Sequence, residues 1–316
     1  MTSEILQKDI CFKSSNGESI VSGAIYSNPN VPAKAIVQIS HGMCEYIDRY
    51  QDFIKYLTQN GYIVSANDHL GHGKTAQDGM YGYFSEEKGA KYILLDLYQM
   101  NQITHQHFPN LPYFLLGHSM GSFFARLFAA VYPNAIDGLI LSGTAGPMNG
   151  IDAGILLTDF LCKTKGAKYR SPAVQKMAFG SYLSKIDNPK TEFDWISRDE
   201  RVVNEYCKDA QCMFTFTVGA FHELFSTLRA VSSNKWAEKI RKDMPIFLFA
   251  GDADPVGNYG KGVIAVQKML EKSGVEDIEL ILYANGRHEM LNELNHTKVY
   301  KDVLDWLNRH IETKDK

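Results

Sequence analysis

The sequence lacks a marked excess of charge of either sign. Its 316 residues include 33 Lys and Arg against 36 Asp and Glu, which gives a net charge of -3. Because nucleic-acid-binding domains normally carry a basic face, we expect no nucleic-acid partner. Cysteine is also scarce, and the five cysteines are odd in number and show no paired metal-ligand spacing. We therefore predict no disulfide framework, no metal ion and no cofactor.

Long apolar segments are absent as well. No apolar run approaches the 18 or so residues that a membrane-spanning helix needs. Residues 1–10 contain no apolar core of the length found in signal peptides. These absences predict a cytoplasmic protein, and they leave its oligomeric state open.

What the sequence does contain is the motif Gly-x-Ser-x-Gly at residues 117–121, with Ser119 at its centre. An apolar run before the motif, Tyr113–Leu116, predicts a buried strand, and apolar residues at helical spacing from Phe123 to Val131 predict a helix after it. A strand that meets a helix through this motif forms a nucleophile elbow, in which the serine adopts a strained conformation and two neighbours must lack a Cβ. The alternative is a glycine-rich turn that merely precedes a buried helix.

The segments around the motif alternate between strand and helix patterns, which is typical of a parallel sheet covered by helices. An N-terminal hairpin, with its turn at Asn16-Gly17, precedes this alternation. The predicted strands are 10–14, 19–26, 35–40, 62–66, 113–116, 138–142, 245–250 and 278–283, and the predicted helices outside the insertion described next are 46–60, 88–107, 123–131, 261–272 and 297–311.

The alternation stops between residues 146 and 231. This segment contains apolar helical patterns at Gly154–Cys162 and Met213–Leu228, separated by a polar region from Lys185 to Asp209. We predict a mainly helical cap, residues 146–231, inserted into a core formed by residues 1–145 and 232–316. The alternative is an extension of the core by additional helices.

A serine nucleophile needs a general base, and the base needs an acid that orients it. His288 follows the predicted strand that ends at Tyr283, and Asp252 and Asp254 follow the strand that ends at Ala250. We predict His288 as the base. The Gly-x-x-Asp spacing lets the loop leave the sheet before it presents a carboxylate, so we favour Asp254 as the acid and assign Asp252 to the turn.

An oxyanion hole requires two backbone N–H donors. Met120 follows the predicted nucleophile directly, and Met43 lies in the loop after the strand that ends at Ser40. We predict these two residues as the donors. His41, in the same loop, is expected to shape it by bonding backbone groups.

With these residues in place, the sequence resembles the α/β-hydrolase fold, and more narrowly the monoacylglycerol lipase and lysophospholipase branch of the serine hydrolases. The stretches that carry the resemblance are His41–Tyr50, Asn67–Gly73, Gly117–Gly121, Gly251–Val256, Gly286–Glu293 and, within the predicted cap, Asp194–Glu200.

The resemblance implies a mostly parallel central sheet flanked by helices, with an inserted helical cap. It also implies a triad of Ser119, Asp254 and His288 that cleaves esters of single-chain lipids through an acyl-enzyme. Glu45 and Arg49 match positions at which relatives place polar groups near the bound alcohol. The alternative for this pair is an exposed i, i+4 contact on a helix. The apolar cap is expected to line an acyl pocket and to make a peripheral membrane contact.

Other functions remain open on the same residues. A short-chain carboxylesterase, an acyltransferase and an aminopeptidase can all use this triad, and a non-catalytic ligand-binding protein can keep the fold. A metalloenzyme is a further alternative, because four possible ligands lie close in sequence: His288, Glu289, Glu293 and His296. The zincin pattern His-Glu-x-x-His fails, however, because residue 292 is Asn.

Overall fold

A mixed sheet of mostly parallel strands forms the centre of the chain. The computed structural model describes residues 5–76 and 79–312, so residues 1–4, 77–78 and 313–316 of the predicted core lie outside the described residues. The strands are β1 (Leu6–Lys13), β2 (Ile20–Ser27), β3 (Ala35–Ser40), β4 (Tyr62–Asn67), β5 (Tyr113–His118), β6 (Gly138–Ser142), β7 (Ile246–Gly251) and β8 (Ile278–Tyr283).

The strand order is β1-β2-β4-β3-β5-β6-β7-β8. Strand β2 pairs antiparallel with both β1 and β4, whereas the pairs from β4 to β8 are parallel. β3 to β7 are buried almost throughout, which explains why they appear in the sequence as unbroken apolar runs. The predicted hairpin turn is present: Gly17 has φ +80, and the N–H of Ser14 donates to the carbonyl of Ser19 at 2.8 Å.

Helices cover both faces of the sheet. They are α1 (Gln51–Gln59), α2 (Gly89–His107), α3 (Met120–Val131), α4 (Ile151–Lys165), α5 (Pro172–Phe179), α6 (Glu200–Lys208), α7 (Val218–Ala230), α8 (Asn234–Ala237), α9 (Lys261–Lys272) and α10 (His296–Glu312). Apolar residues of α1 and α10 pack together against one face, and those of α2, α3, α8 and α9 pack against the other. None of the helices within the described residues combines the length and the apolar character needed to cross a bilayer.

The segment predicted as a cap, residues 146–231, is described throughout and contains α4 to α7 without any strand. Its division from the core as a separate domain stays a prediction. One helix was predicted to begin five residues before it does. The sequence predicted a helix over Met213–Leu228, but α7 begins at Val218. The Thr217 side chain accepts a hydrogen bond from the N–H of Ala220 and so caps the helix there.

Helix α5 was not predicted, although its beginning carries a signal. Ser171 precedes Pro172, and the Ser171 side chain accepts a hydrogen bond from the N–H of Val174. Serine at the N-cap followed by proline at the first helical position is a typical start of a helix. Helix α6 also lies entirely within the polar region from Lys185 to Asp209, for which no helix was predicted, and Asp199 caps it by accepting from the N–H of Arg201.

The packing of α10 on the sheet gives a test of the core. Trp306 is fully buried, and its ring centroid lies 5.8 Å from those of Phe247 and Phe114. We predict that Trp306→Ala lowers the free energy of unfolding by about 3–5 kcal/mol, because it leaves a large cavity. Trp306→Phe is the control and should cost much less, since the indole Nε1 has no hydrogen-bond partner among the described residues. The measurement is urea unfolding of both variants. If Trp306→Ala and Trp306→Phe lowered the free energy of unfolding equally, this account would be contradicted.

Candidate active site

Ser119 occupies the turn between β5 and α3. Its backbone has φ 50 and ψ -121, a conformation that residues other than glycine rarely adopt. Its backbone N–H donates to the carbonyl of Ser142 at 2.9 Å, which ties the turn to the end of β6. A Cβ at Gly121 would collide with the carbonyl oxygens of Ser40 and His41, and one at Gly117 would lie 2.5 Å from the carbonyl oxygen of Gly121. The strained turn predicted from the motif is therefore present, together with its two obligatory glycines.

His288 and Asp254 form a buried pair at the ends of β8 and β7. The Nδ1 of His288 lies 2.9 Å from Oδ2 of Asp254, and the other carboxylate oxygen accepts from the N–H of Val256 at 2.9 Å. Asp254 is fully buried and His288 is 3% exposed. Burial alone would lower the pKa of His288, but the charge and hydrogen bond of Asp254 raise it above its ordinary value. With Nδ1–H donated to Asp254, Nε2 is the basic nitrogen of the ring.

Asp252, the competing acid, has a different environment. It is exposed, and its Oδ1 accepts a hydrogen bond from the backbone N–H of Asn285 at 2.6 Å. This contact joins the two loops that follow β7 and β8. Asp252 thus occupies the turn position that the spacing argument assigned to it, and Asp254 is the acid that contacts His288.

The loop after β3 leaves one backbone N–H unpaired. The N–H of Gly42 donates to Oε1 of Glu45, and the N–H of Cys44 donates to Nε2 of His72 at 3.2 Å. The intervening N–H of Met43 has no hydrogen-bond partner among the residues that the structure describes, and the same is true of Met120 at the beginning of α3. Both residues border the cavity that contains Ser119.

His41 supports this loop through both ring nitrogens. Its Nε2 accepts from the N–H of His69 at 2.9 Å, so Nδ1 carries the proton and donates to the carbonyl of Gly42 at 2.8 Å. Burial and the neighbouring imidazoles of His69 and His72 lower the pKa of His41 well below its ordinary value. His41 is therefore neutral and fixed in one tautomer, in agreement with its predicted role in shaping the loop.

Glu45 and Arg49 are both largely removed from solvent. Glu45 is 3% exposed, and its Oε1 also accepts from the hydroxyl of Tyr50 at 2.7 Å. Arg49 forms an ion pair with Glu289 at 2.5 Å, with side chains that are 10% and 5% exposed. The alternative of an exposed i, i+4 pair is therefore wrong, because both side chains are largely buried, Glu45 precedes the helix, and the partner of Arg49 lies in the loop that follows β8. Glu45 and Glu289 border the cavity.

The acidic residues around His288 are paired with other groups of the protein. Glu289 pairs with Arg49, and Glu293 pairs with Arg198 at 3.0 Å. The Nδ1 of His296 lies 2.8 Å from the carbonyl oxygen of Glu293. Within residues 5–76 and 79–312, no three His, Cys, Asp or Glu side chains are grouped so that they could hold a metal ion.

A cavity of about 930 Å³ connects these elements. Ser119, Met120 and His288 of the predicted core border it, and so do Phe179, Leu224, Phe225 and Leu228 of the insertion. The sequence missed Trp195, whose ring centroid lies 5.2 Å from that of His288. Trp195 lies in the stretch Asp194–Glu200, which carries part of the resemblance but contains no motif that indicates a contact with the histidine.

The fold and the site together indicate a class of protein. The sheet is mostly parallel, a strained serine follows β5, and a buried Asp–His pair follows β7 and β8. The class is that of serine hydrolases with the α/β-hydrolase fold, as the sequence predicted. The family model described as serine aminopeptidase S33, Hydrolase_4, matches residues 31–295, and the chain belongs to this family.

Individual relatives give a narrower comparison. The chain is 27% identical to monoglyceride lipase of Rattus norvegicus over 90% of this chain and 86% of the relative. It is 25% identical to monoacylglycerol lipase of Mycolicibacterium smegmatis over 90% and 91% of the two chains. Among solved structures, a thermostable carboxyl esterase from Bacillus coagulans in complex with glycerol superimposes with a TM-score of 0.92 at 33% identity, covering 96% of this chain and 99% of the esterase. The chain is a carboxylic ester hydrolase.

The buried Glu45 carboxyl leads to a prediction about pH. Burial and the charge of Glu289 raise its pKa from 4.5 to about 7. Between these pH values the folded protein binds more protons at this site than the unfolded chain does, so stability falls as pH rises through the window. Glu45→Gln removes this titration, and its stability relative to the wild type should rise by on the order of 2 kcal/mol from pH 5 to pH 7. Parallel stability curves for the two proteins would contradict a raised pKa.

Proposed function

We propose that the protein hydrolyses esters of single-chain lipids, either monoacylglycerols or lysophospholipid-type esters, through a Ser119–His288–Asp254 triad. The observation that carries this proposal is the cavity of about 930 Å³, which brings Ser119, a polar group of buried carboxylates and an apolar wall into one space. A single acyl chain with a small head group has the same polarity pattern. The similarity to monoglyceride lipases supports the same substrate class.

In the proposed reaction, Oγ of Ser119 attacks the ester carbonyl carbon while Nε2 of His288 accepts the hydroxyl proton. The N–H groups of Met43 and Met120 stabilise the oxyanion, because both lack another partner among the described residues. The C–O bond then breaks, and His288 donates its proton to the leaving alcohol. Water attacks the acyl-enzyme in the same manner and releases the fatty acid. Asp254 holds the tautomer of His288 and stabilises its protonated form.

The polar end of the cavity suggests which head group fits. Glu45 and Glu289 border this end, and Arg49 is held behind Glu289 by their ion pair. Hydroxyl groups of a glycerol head can donate hydrogen bonds to these carboxylates. An anionic phosphate would enter a poorly hydrated site in which the nearby cation, Arg49, is already paired with Glu289, and this is unfavourable. The proposal therefore favours monoacylglycerols over anionic lysophospholipids.

The apolar end of the cavity comes mainly from the insertion. Phe179, Leu224, Phe225 and Leu228 offer apolar surface to an acyl chain, and each buried methylene contributes up to about 0.8 kcal/mol. Outside the cavity, helix α4 exposes Leu156 and Phe160, which are 70% and 60% accessible. Such exposed apolar residues support a peripheral contact with a membrane or micelle, as part of the proposal.

Two alternatives on the same fold have specific support. The matched family is described as serine aminopeptidase, and the structural relative at 33% identity is a carboxyl esterase. An aminopeptidase must bind a substrate ammonium group, but Glu289 is already neutralised by Arg49, and the pKa of Glu45 is raised to about 7. This charge state favours a neutral ester. A short-chain esterase would not require the apolar wall of the insertion.

The roles of the two aspartates can be separated by substitution. Asp254→Asn should lower turnover on the order of 10⁴-fold, because the amide no longer stabilises the correct tautomer and the charged form of His288. The matched control, Asp252→Asn, should keep most of the turnover and lose mainly stability, since this side chain bonds only the turn. Esterase assays with Ser119→Ala as the blank, together with labelling by a fluorophosphonate, measure both effects. Reversed effects of the two substitutions would show that the acid has been misassigned.

A further prediction concerns the substrate. Rates on monoacylglycerols should rise from acetyl to octanoyl and longer chains until the apolar wall is covered, and a triacylglycerol should be poor. Matched lysophosphatidic esters of the same chain length should react more slowly than the glycerol esters. The measurement is kcat/KM across the series, with aminoacyl amides as a further set. A maximum at acetyl, or faster cleavage of the amides, would count against a lipid esterase.

A further inference from the structure

The insertion contacts the histidine loop, residues 287–293, through a short segment that we call the strap, residues 194–198. The backbone N–H of Glu289 donates to the carbonyl of Ile196 at 2.7 Å, and the N–H of His288 donates to the carbonyl of Trp195 at 3.4 Å. These bonds join residues about 93 positions apart in the sequence. The strap therefore accepts hydrogen bonds from the backbone of His288 and from the backbone of the next residue, Glu289.

Side chains strengthen the contact on both sides of His288. Arg287 donates from Nη1 to the carbonyl of Asp194 at 2.5 Å and to that of Ser197 at 3.0 Å. On the other side, the hydroxyl of Ser197 donates to the carbonyl of Asn292 at 3.1 Å. The histidine loop is thus bonded to the strap at residues 287, 288, 289 and 292.

Glu293 is the centre of this arrangement. Its carboxylate is fully buried and accepts from the backbone N–H and Nε of Arg198 at 2.9 and 3.0 Å. It also accepts from the N–H of Arg287 at 3.1 Å and from that of Leu294 at 2.8 Å, within its own loop. One carboxylate therefore holds the beginning and the end of the histidine loop and fastens both to the strap. A buried carboxylate with this many donors is a rigid element, because each lost bond would leave a charge poorly solvated.

The strap also provides a ring that packs against the imidazole. The ring centroid of Trp195 lies 5.2 Å from that of His288, and the ring centroid of Tyr182 lies 4.9 Å from that of Trp195. Trp195 limits the rotation of the imidazole that would break its bond to Asp254.

We propose that the strap is a positioning element for His288, with Glu293 and Arg198 as the residues that fix it. The inference rests on the proposed role of His288 as the general base. Proton transfer requires the base to be placed within a few tenths of an ångström, and a misplacement of 1 Å can cost about 10²-fold in rate. The insertion then contributes to the chemical step as well as to binding of the acyl chain.

A matched pair of arginines tests this role. Arg198 and Arg201 lie three residues apart in the insertion, but Arg198 bonds to Glu293, whereas Arg201 pairs with Asp199 and is 73% exposed. Arg198→Ala should lower kcat about tenfold or more with little change in KM, because neither arginine borders the cavity. Inactivation by a fluorophosphonate should slow by a similar factor. Arg201→Ala should leave both rates unchanged.

Two further measurements separate positioning from general loss of structure. In proton NMR, the low-field resonance of the His288 Nδ1–H should broaden or shift in Arg198→Ala and stay unchanged in Arg201→Ala. Arg198→Lys should recover only part of kcat, since a lysine keeps the charge but not the geometry of the guanidinium. If Arg198→Ala fails to fold, Ser197→Ala removes the hydroxyl that donates to the carbonyl of Asn292 and accepts from the N–H of Asp199, and it should still lower kcat severalfold.

The outcomes distinguish this inference from the proposed function. Strap variants that raise KM at constant kcat, or that match Arg201→Ala in every assay, would overturn the positioning role while the triad stands. Full activity of His288→Ala would instead remove the proposed function itself. Reduced kcat, an altered His288 resonance and an unchanged KM together would support the strap.

Discussion

Ser119 adopts φ 50 and ψ -121, and this conformation persists only because the surrounding backbone leaves it no alternative. Its N–H is bonded to β6, and α3 approaches the end of β3 so closely that Gly121 tolerates no Cβ against Ser40 and His41. The same close approach brings the loop with Met43 next to the beginning of α3. One steric constraint therefore places the proposed nucleophile and both proposed oxyanion donors.

The charge states of Glu289, Arg49 and Glu45, near this turn, depend on one another. Glu289 is buried, and the loss of hydration would destabilise an unpaired carboxylate there. Its Oε2 lies 2.5 Å from Nη2 of Arg49, and this ion pair offsets the loss. Burial alone would lower the pKa of Arg49, but the carboxylates of Glu289 and Glu45 raise it above its ordinary value, so the guanidinium stays charged. Arg49 is paired with Glu289, and Glu45 forms no ion pair among the residues that the structure describes. Burial, followed by the charge of Glu289, raises the pKa of Glu45 to about 7. The polar end of the cavity thus carries less negative charge than its residues suggest.

Local patterns made much of the fold predictable. The apolar runs of β3 to β7 and the turn at residues 117–121 combine residue type with spacing, and both appear in the structure where they were expected. The pairing of His288 with Asp254 followed from strand order, because parallel strands present their ends at one edge. Other features had no local signal. The partner of Arg49 is 240 residues away, and the bond between Arg198 and Glu293 spans 95 residues, so neither could be found from spacing. The start of α7 was misplaced because the apolar pattern continues through residues 213–217, where the backbone is not helical.

The insertion contributes in two ways to the site of the proposed lipid esterase. Its apolar residues border the cavity that contains Ser119, and its strap bonds to the loop that carries His288. In the proposed function, the apolar wall that contacts the acyl chain and the strap that contacts the base belong to the same segment of the chain. Binding energy from the part of the substrate that does not react could then be used to fix the base in the transition state rather than only to tighten binding. In such an arrangement, lengthening the acyl chain raises kcat as well as lowering KM, whereas a passive apolar wall affects binding alone.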